Sequence, residues 1–240
     1  MKICIITAMW KRPEVWNMFK RGVERLRNID GLEVVVSVTG SEGNRSRALC
    51  REDWIIYTEH KNDPLGAKMN EAAIQAKQTE ADYYLLMGSD DIIGNDLMNL
   101  YLKYINEGYE YLYLLDCYFY DTQRKCGLYW GGYRMSNNAG HPAGIGRMLS
   151  KNLMDKLEWK PWYDVKLSGR LDEAMNQKMA EIRPKARSIH CLSEGVFALD
   201  IKSKVNMTQF DLWDNTVTFN GKFLFNKLPE EEATRIYKGN

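Results

Sequence analysis

The stretch Asp82–Asn95, DYYLLMGSDDIIGN, decides how the rest of the chain is read. Its apolar run, Tyr83 to Met87, stops abruptly at Gly88-Ser89, and two adjacent carboxylates, Asp90 and Asp91, follow. Large apolar residues in unbroken succession suit a strand buried on both faces. Carboxylates where such a strand ends lie at the crevice in which open α/β sheets bind ligands. They also supply hard oxygen ligands for Mg²⁺ or Mn²⁺. The alternative is a solvated turn in which Asp90 or Asp91 caps the next helix.

Working outward, strand and helix patterns alternate. Residues Lys2 to Thr7 read as a strand, and Pro13 opens a helical pattern to about Asn28. Leu32 to Val38 is a second strand, Gly40 to Asn44 a polar loop and Trp54 to Thr58 a third strand. Pro64 starts a helix through Lys77, with Asp63 placed to cap it, and another helix runs from Asn95 to Asn106. This alternation predicts an α/β fold with a mostly parallel central sheet flanked by helices. A small antiparallel element follows in the second half, from Tyr109 to Tyr120 paired with Gly127 to Trp130. A Gly-rich loop, His141 to Gly146, leads into a helix near Ser150 to Leu157. Leu167 to Ala180 reads as helix, Arg187 to Leu192 and Gly195 to Ile201 as strands, and Glu230 to Tyr237 as a short charged helix. With no repeat or linker in view, the expectation is a single domain over residues 1–240.

Bulk properties narrow the classes. The 240 residues carry 33 basic and 32 acidic side chains, a formal charge of +1, which gives no general electrostatic case for nucleic acid or a membrane surface. No apolar stretch is long enough to span a bilayer, and the N-terminus reads as a first strand. Five scattered cysteines without zinc spacing fit a reducing, cytoplasmic setting. Cys117 and Cys126 either face each other across a hairpin or are two buried thiols. There is no P-loop, no Rossmann GxGxxG and no GxSxG elbow. A nucleotide would have to be held another way.

Four segments in order, IITAMWKRPE, DPLGAKMNEAA, LLMGSDD, and HPAGIGRMLSKNLM with SGRLDEAM, resemble family 2-type glycosyltransferases of the GT-A fold. The resemblance covers roughly the first 180 residues. It implies a nucleotide-sugar-binding half over about residues 1–108 and an acceptor-binding half with a C-terminal extension over about 109–240. It places Thr7, Ala8 and Arg12 in the loop that contacts the nucleotide. Glu42 stands where the family has a base-reading Asp. Gly66, Lys68 and Asn70 fall at the start of a helix, where a lysine and the helix N-terminus favour a diphosphate. In GSDD the family often has Asp at the place of Gly88. Ser89 and Asp90 are then assigned to the donor ribose or a water-bridged metal, and Asp91 to direct coordination of Mn²⁺ or Mg²⁺. His141 and Gly144 resemble the floor of the donor-sugar pocket, and His190, on a predicted strand, is a candidate third metal ligand.

In inverting relatives a carboxylate in the position of Asp172 or Glu173 is the general base. Adjacent helical residues point about 100° apart, so only one of the two can face the site; Asp172 matches the family motif better. Trp130, Trp159, Trp162 and Trp213 sit in the half expected to bind the acceptor. The reading is therefore a metal-dependent, inverting glycosyltransferase, hexosyl or pentosyl, with a nucleotide-sugar donor. Its acceptor would be a glycan, a small molecule or a modified nucleic acid. The alternatives are a nucleotidyltransferase on a related sheet, and a non-catalytic carbohydrate- or nucleotide-binding module.

Overall fold

The computed structural model describes residues 1–133, 139–162, 170–203 and 216–239. Strands β1 (Lys2–Ala8), β2 (Glu33–Gly40), β3 (Ile55–Glu59) and β4 (Tyr83–Leu86) run parallel. Helix α1 (Pro13–Arg27) links β1 to β2, the short α2 (Asn44–Ala48) precedes β3, and α3 (Leu65–Ala76) leads into β4. β2 and β3 extend the sheet on one side of β1, whereas β4 adds on the other. The strand order therefore reverses at β1/β4, and the crevice of an open α/β sheet lies at such a switch point.

The alternation within β1 explains the two cores. Ile3 and Ile5 face one, with Val15, Phe19 and Leu26 of α1; Cys4 and Ile6 face the other, with Ala72, Ala73 and Ala76 of α3. The small side chains of α3 let it approach the sheet closely. Two hydroxyls of β2 then fix it: Ser37 Oγ donates to the Ala72 carbonyl at 2.7 Å, and Thr39 Oγ1 to the Lys68 carbonyl at 3.0 Å.

The second half completes this sheet and builds another. After β5 (Asp91–Ile93) and α4 (Asn95–Asn106) come β6 (Tyr111–Leu114), β7 (Cys117–Asp121), β8 (Cys126–Trp130) and β9 (Arg147–Ser150). Next are α5 (Lys151–Lys156), α6 (Leu171–Ile182), β10 (Ala186–Ile189), α7 (Cys191–Glu194), β11 (Ala198–Lys202), β12 (Thr216–Asn220) and α8 (Glu230–Lys238). Seven strands form the main sheet in the order β10-β6-β9-β4-β1-β2-β3, and five form the second in the order β12-β8-β7-β11-β5.

Several sequence expectations are corrected here. Tyr109 to Tyr120 is not one strand: it breaks at Leu115-Asp116 and sends β6 to the main sheet and β7 to the second. The buried Asp116 carboxylate holds that break by accepting from the Cys191 and Leu192 amides and the Tyr129 hydroxyl. Between the 141–146 loop and the next helix the chain forms a further strand, β9, antiparallel to both β4 and β6. Cys117 pairs with Trp130, and Cys126 with Asp121, so the two cysteines sit at opposite ends of their hairpin and are not joined in a disulfide. The N-cap position of α3 falls on Pro64, one residue after Asp63. The chain near the C-terminus is more regular than its polarity suggests. β12 pairs with β8, and α8 docks on α1 through an Arg25–Glu232 ion pair at 2.9 Å. Trp213 lies outside the described residues.

Candidate functional site

At the switch point the ends of β1 and β4 open into a cleft with two lobes. The first, about 400 Å³, is lined by Ala8 at the end of β1, by Met9 and Arg12 from the loop after it, by Leu65 and Lys68 of α3, and by Trp162. The second, about 350 Å³, has Phe119, Trp130 and Tyr133 among its walls. The lobes share Gly88, Asp90, Gly144, Leu171, Asp172 and Lys202 along their seam.

The loop after β1 is held in an unusual form. Lys11 and Arg12 both adopt positive φ, 48° and 88°, which costs non-glycine residues of order 1–3 kcal/mol each. Two contacts hold them there. The Lys11 amide donates to Glu42 Oε2 at 2.6 Å, and the Arg12 guanidinium meets Asp90 Oδ2 at 2.7 Å. Arg12 is thereby turned into the first lobe.

Lys68 is 1% exposed yet lines that lobe, its Nζ donating to the Met9 carbonyl at 2.6 Å and to Asn62 Oδ1 at 3.1 Å. Burial pushes its pKa down to about 8, with Glu59 and Glu42 partly offsetting the shift. A desolvated ammonium held by neutral oxygens is well suited to an anion brought into the lobe.

The seam carries the acidic centre. Asp90, Asp91 and Asp200 each offer a carboxylate oxygen, all within 4.8 Å of one another. β5 and β11 pair antiparallel with Asp91 directly opposite Asp200. Like charges directly opposite on paired strands are destabilising. Burial, reinforced by the Asp200 and Asp90 charges, raises the pKa of the Asp91 carboxyl well above the ordinary range. Burial raises that of Asp200 as well, against the pull of Lys202. One Asp200 oxygen, Oδ1, is buried with no hydrogen-bond partner. Hard oxygens concentrated at repulsive spacing, one of them unsatisfied, fit a divalent cation of the Mg²⁺ or Mn²⁺ type. Gly88 makes this packing possible: a Cβ there would lie 2.6 Å from Asp90 Oδ1 and 3.1 Å from Asp91 Oδ2. Its amide donates to Asp91 Oδ2 at 2.5 Å.

On the other side of the seam, Asp172 stands in the first turn of α6. The guanidinium of Arg147, itself 1% exposed, donates to the Ala143 and Pro142 carbonyls and to Asp172 Oδ1, the last at 2.8 Å. A Cβ on Gly144 would come within 3.2 Å of Asp172 Oδ2, so this glycine keeps the second carboxylate oxygen clear. Glu173 turns away and pairs with Arg170 at 2.5 Å.

The structure thus brings Ala8, Arg12, Lys68, Ser89, Asp90, Asp91, Gly144 and Asp172 to one cleft. Others fall elsewhere. Thr7 is fully buried beneath it, its hydroxyl without a partner. Glu42 braces the Lys11 backbone and lines neither lobe. Gly66 is buried in the first turn of α3, and Asn70, one turn further on than the sequence suggested, bonds both backbone groups of Trp162. His141 lines a separate cavity of about 320 Å³ with Tyr113 and Arg183. His190 is exposed, stands at the N-cap position of α7 and is not part of the carboxylate cluster; the third carboxylate comes from β11 instead. Trp159 packs on Tyr84 in the core, 4.8 Å between ring centroids.

The sequence reading missed Asp200, Lys202 and Arg147. Asp200 and Lys202 did leave a signal: two charges two residues apart, hence on one face of a strand, in an otherwise apolar run.

The mainly parallel sheet, its switch-point cleft and the second, mostly antiparallel sheet together make a GT-A-like α/β fold. No family model matches the chain, and no curated protein matches it in sequence. Solved structures do match in shape. S. aureus TarS 1–349 in complex with UDP-GlcNAc superposes with a TM-score of 0.60 at 14% identity, over 86% of this chain and 60% of that one. TarS 1–349 alone gives 0.58 at 12% identity over 84% and 60%, and the longer TarS structure 0.59 at 13% over 85% and 37%. The chain spans about 60% of the length of the shorter TarS structures. At these identities the likeness is one of fold.

Proposed function

We propose that the protein is a glycosyltransferase that moves a sugar from a nucleotide-sugar donor to an acceptor hydroxyl, with a divalent cation and with inversion. The observation that carries this reading is the seam. A three-carboxylate cluster and a separate carboxylate, Asp172, face one another where two lobes of suitable size meet. TarS, which is similar in fold, is seen in complex with UDP-GlcNAc, and this supports a nucleotide sugar as the donor.

The first lobe takes the donor. Arg12 and Lys68 bring positive charge to the diphosphate, and a guanidinium fork suits phosphate geometry. Asp91, Asp90 and Asp200 would hold Mn²⁺ or Mg²⁺, which neutralises charge on the departing diphosphate. The second lobe takes the acceptor against Trp130 and Tyr133, whose aromatic faces suit a sugar or another flat apolar surface. Asp172 Oδ2 accepts the proton of the attacking hydroxyl, while Arg147, bound to Oδ1, fixes the orientation of the carboxylate. Attack from the acceptor lobe with departure into the donor lobe inverts the anomeric centre. A nucleotidyltransferase is less well served, because the loop after β1 (MWKRPE) has no glycine to wrap a triphosphate.

The test is turnover of a panel of nucleotide sugars with Mn²⁺ and with EDTA, followed by NMR of any product. The reading requires cation-dependent release of the nucleoside diphosphate and a product of opposite anomeric configuration. Retained configuration would remove the inverting assignment; nucleotide incorporation would favour the nucleotidyltransferase.

A further inference from the structure

Lys202 closes β11 only 8% exposed, in a strand whose Ala198, Leu199 and Ile201 are fully buried. Its Nζ lies 2.6 Å from Asp200 Oδ2 and 5.0 Å from the centroid of the Phe119 ring, and the residue lines both lobes of the cleft. As a structural ion pair this is a poor choice. Buried pairs seldom improve on apolar residues of similar volume, and this one is built beside two further carboxylates. The charges suggest a different purpose. Counted as ionised, the three carboxylates Asp90, Asp91 and Asp200 outnumber the two cations, Arg12 and Lys202, by one negative charge. A divalent cation would turn the same centre one unit positive, and Lys202 would lose its claim on Asp200. The lysine stem is flexible, and the released ammonium already borders the donor lobe.

We propose that Lys202 is the resident counter-ion of the carboxylate cluster: it holds Asp200 until a divalent cation enters, then transfers its ammonium to the diphosphate of the donor. This rests on the donor and cation reading above. It makes Lys202 a positioning residue that couples cation entry to donor capture, so that neither cation nor donor binds fully without the other.

The test compares wild type, Lys202→Met and Lys202→Arg by calorimetry. Mn²⁺ alone is titrated first, then a panel of nucleoside diphosphates at saturating Mn²⁺. Lys202→Met should bind Mn²⁺ roughly tenfold more tightly, because a like charge has left the ion's surroundings. It should bind its preferred diphosphate roughly tenfold more weakly, having lost a charge-assisted hydrogen bond. Lys202→Arg should restore the diphosphate. A purely structural lysine would not improve Mn²⁺ binding on removal. Unchanged or weaker Mn²⁺ binding by Lys202→Met, with diphosphate binding intact, overturns this inference and leaves the proposed function standing. Diphosphate binding by wild type in EDTA that vanishes in Lys202→Met also overturns it, since Lys202 would then replace the cation. Failure of wild type to bind any diphosphate under either condition overturns both.

Discussion

Replacing Asp91 with Asn should stabilise the protein in EDTA and destabilise it, relative to wild type, in Mn²⁺. Asp91 is 5% exposed, sits directly across from Asp200, and has its oxygen within 4.8 Å of those of Asp90 and Asp200. At an effective dielectric near 20, two unit charges at that separation repel by about 3.5 kcal/mol. Arg12 and Lys202 screen part of this, and the raised pKa of the buried Asp91 carboxyl lets proton uptake relieve more of it. Asn keeps an oxygen for the Gly88 amide but accepts more weakly than a carboxylate, a loss of about 1 kcal/mol. The net expectation is a gain of about 1–2 kcal/mol, or roughly 3–6 °C in melting temperature for a chain of this size. With Mn²⁺ at a hundred times its dissociation constant, wild type gains about 2.7 kcal/mol by linkage, which the variant forgoes. Thermal melts of both proteins in EDTA and in Mn²⁺ should therefore cross over. An Asp91→Asn protein that is less stable in both buffers would show the carboxylate to be structural and would refute the reasoning.

Three further outcomes follow from the same geometry. Lys68→Ala should raise the donor KM far more than that of the acceptor, by roughly 1.5–3 kcal/mol of binding. Because burial holds the pKa of Lys68 at about 8, its charge is lost as pH rises through that value, so wild-type donor affinity should fall above pH 8 and that of Lys68→Ala should not; parallel pH profiles would count against the assignment. Asp172→Asn should keep donor binding and lose transfer by roughly 10²–10⁴-fold, while Glu173→Gln, already turned to Arg170, should change little in a steady-state assay. Gly88→Ala should disrupt the carboxylate cluster while leaving the sheet intact, because its Cβ would meet Asp90 Oδ1 at 2.6 Å; unaltered Mn²⁺ binding by calorimetry would show that the cluster tolerates the crowding.

The first half of this fold was legible because its signals are local. Apolar runs set β1 to β4, and Pro13 and Pro64 mark where α1 and α3 begin. The end of β4 announced the acidic turn before any contact was known. What the sequence hid were pairings across long separations. Asp200 reaches Asp91 only because β11 lies beside β5, and neither strand exceeds five residues. Arg147 escaped for a related reason: the few residues between the Gly-rich loop and the next helix are too short to show a strand pattern, yet β9 is fully buried and its arginine ties the 142–143 carbonyls to Asp172. His190 drew attention because a histidine near a strand suits a ligand by type, and only the three-dimensional placement shows it exposed at the N-cap position of a short helix. Residue types pointed to the chemistry, and topology chose which copies of each type perform it.

The most direct test of the central claim is calorimetric titration of a panel of nucleoside diphosphates into the wild-type protein, with Mn²⁺ and with EDTA. Binding of at least one member in Mn²⁺, lost both in EDTA and in Asp91→Asn, is the result the two-lobed cleft and its carboxylate seam predict. Binding of none, or equal binding with and without the cation, would contradict it.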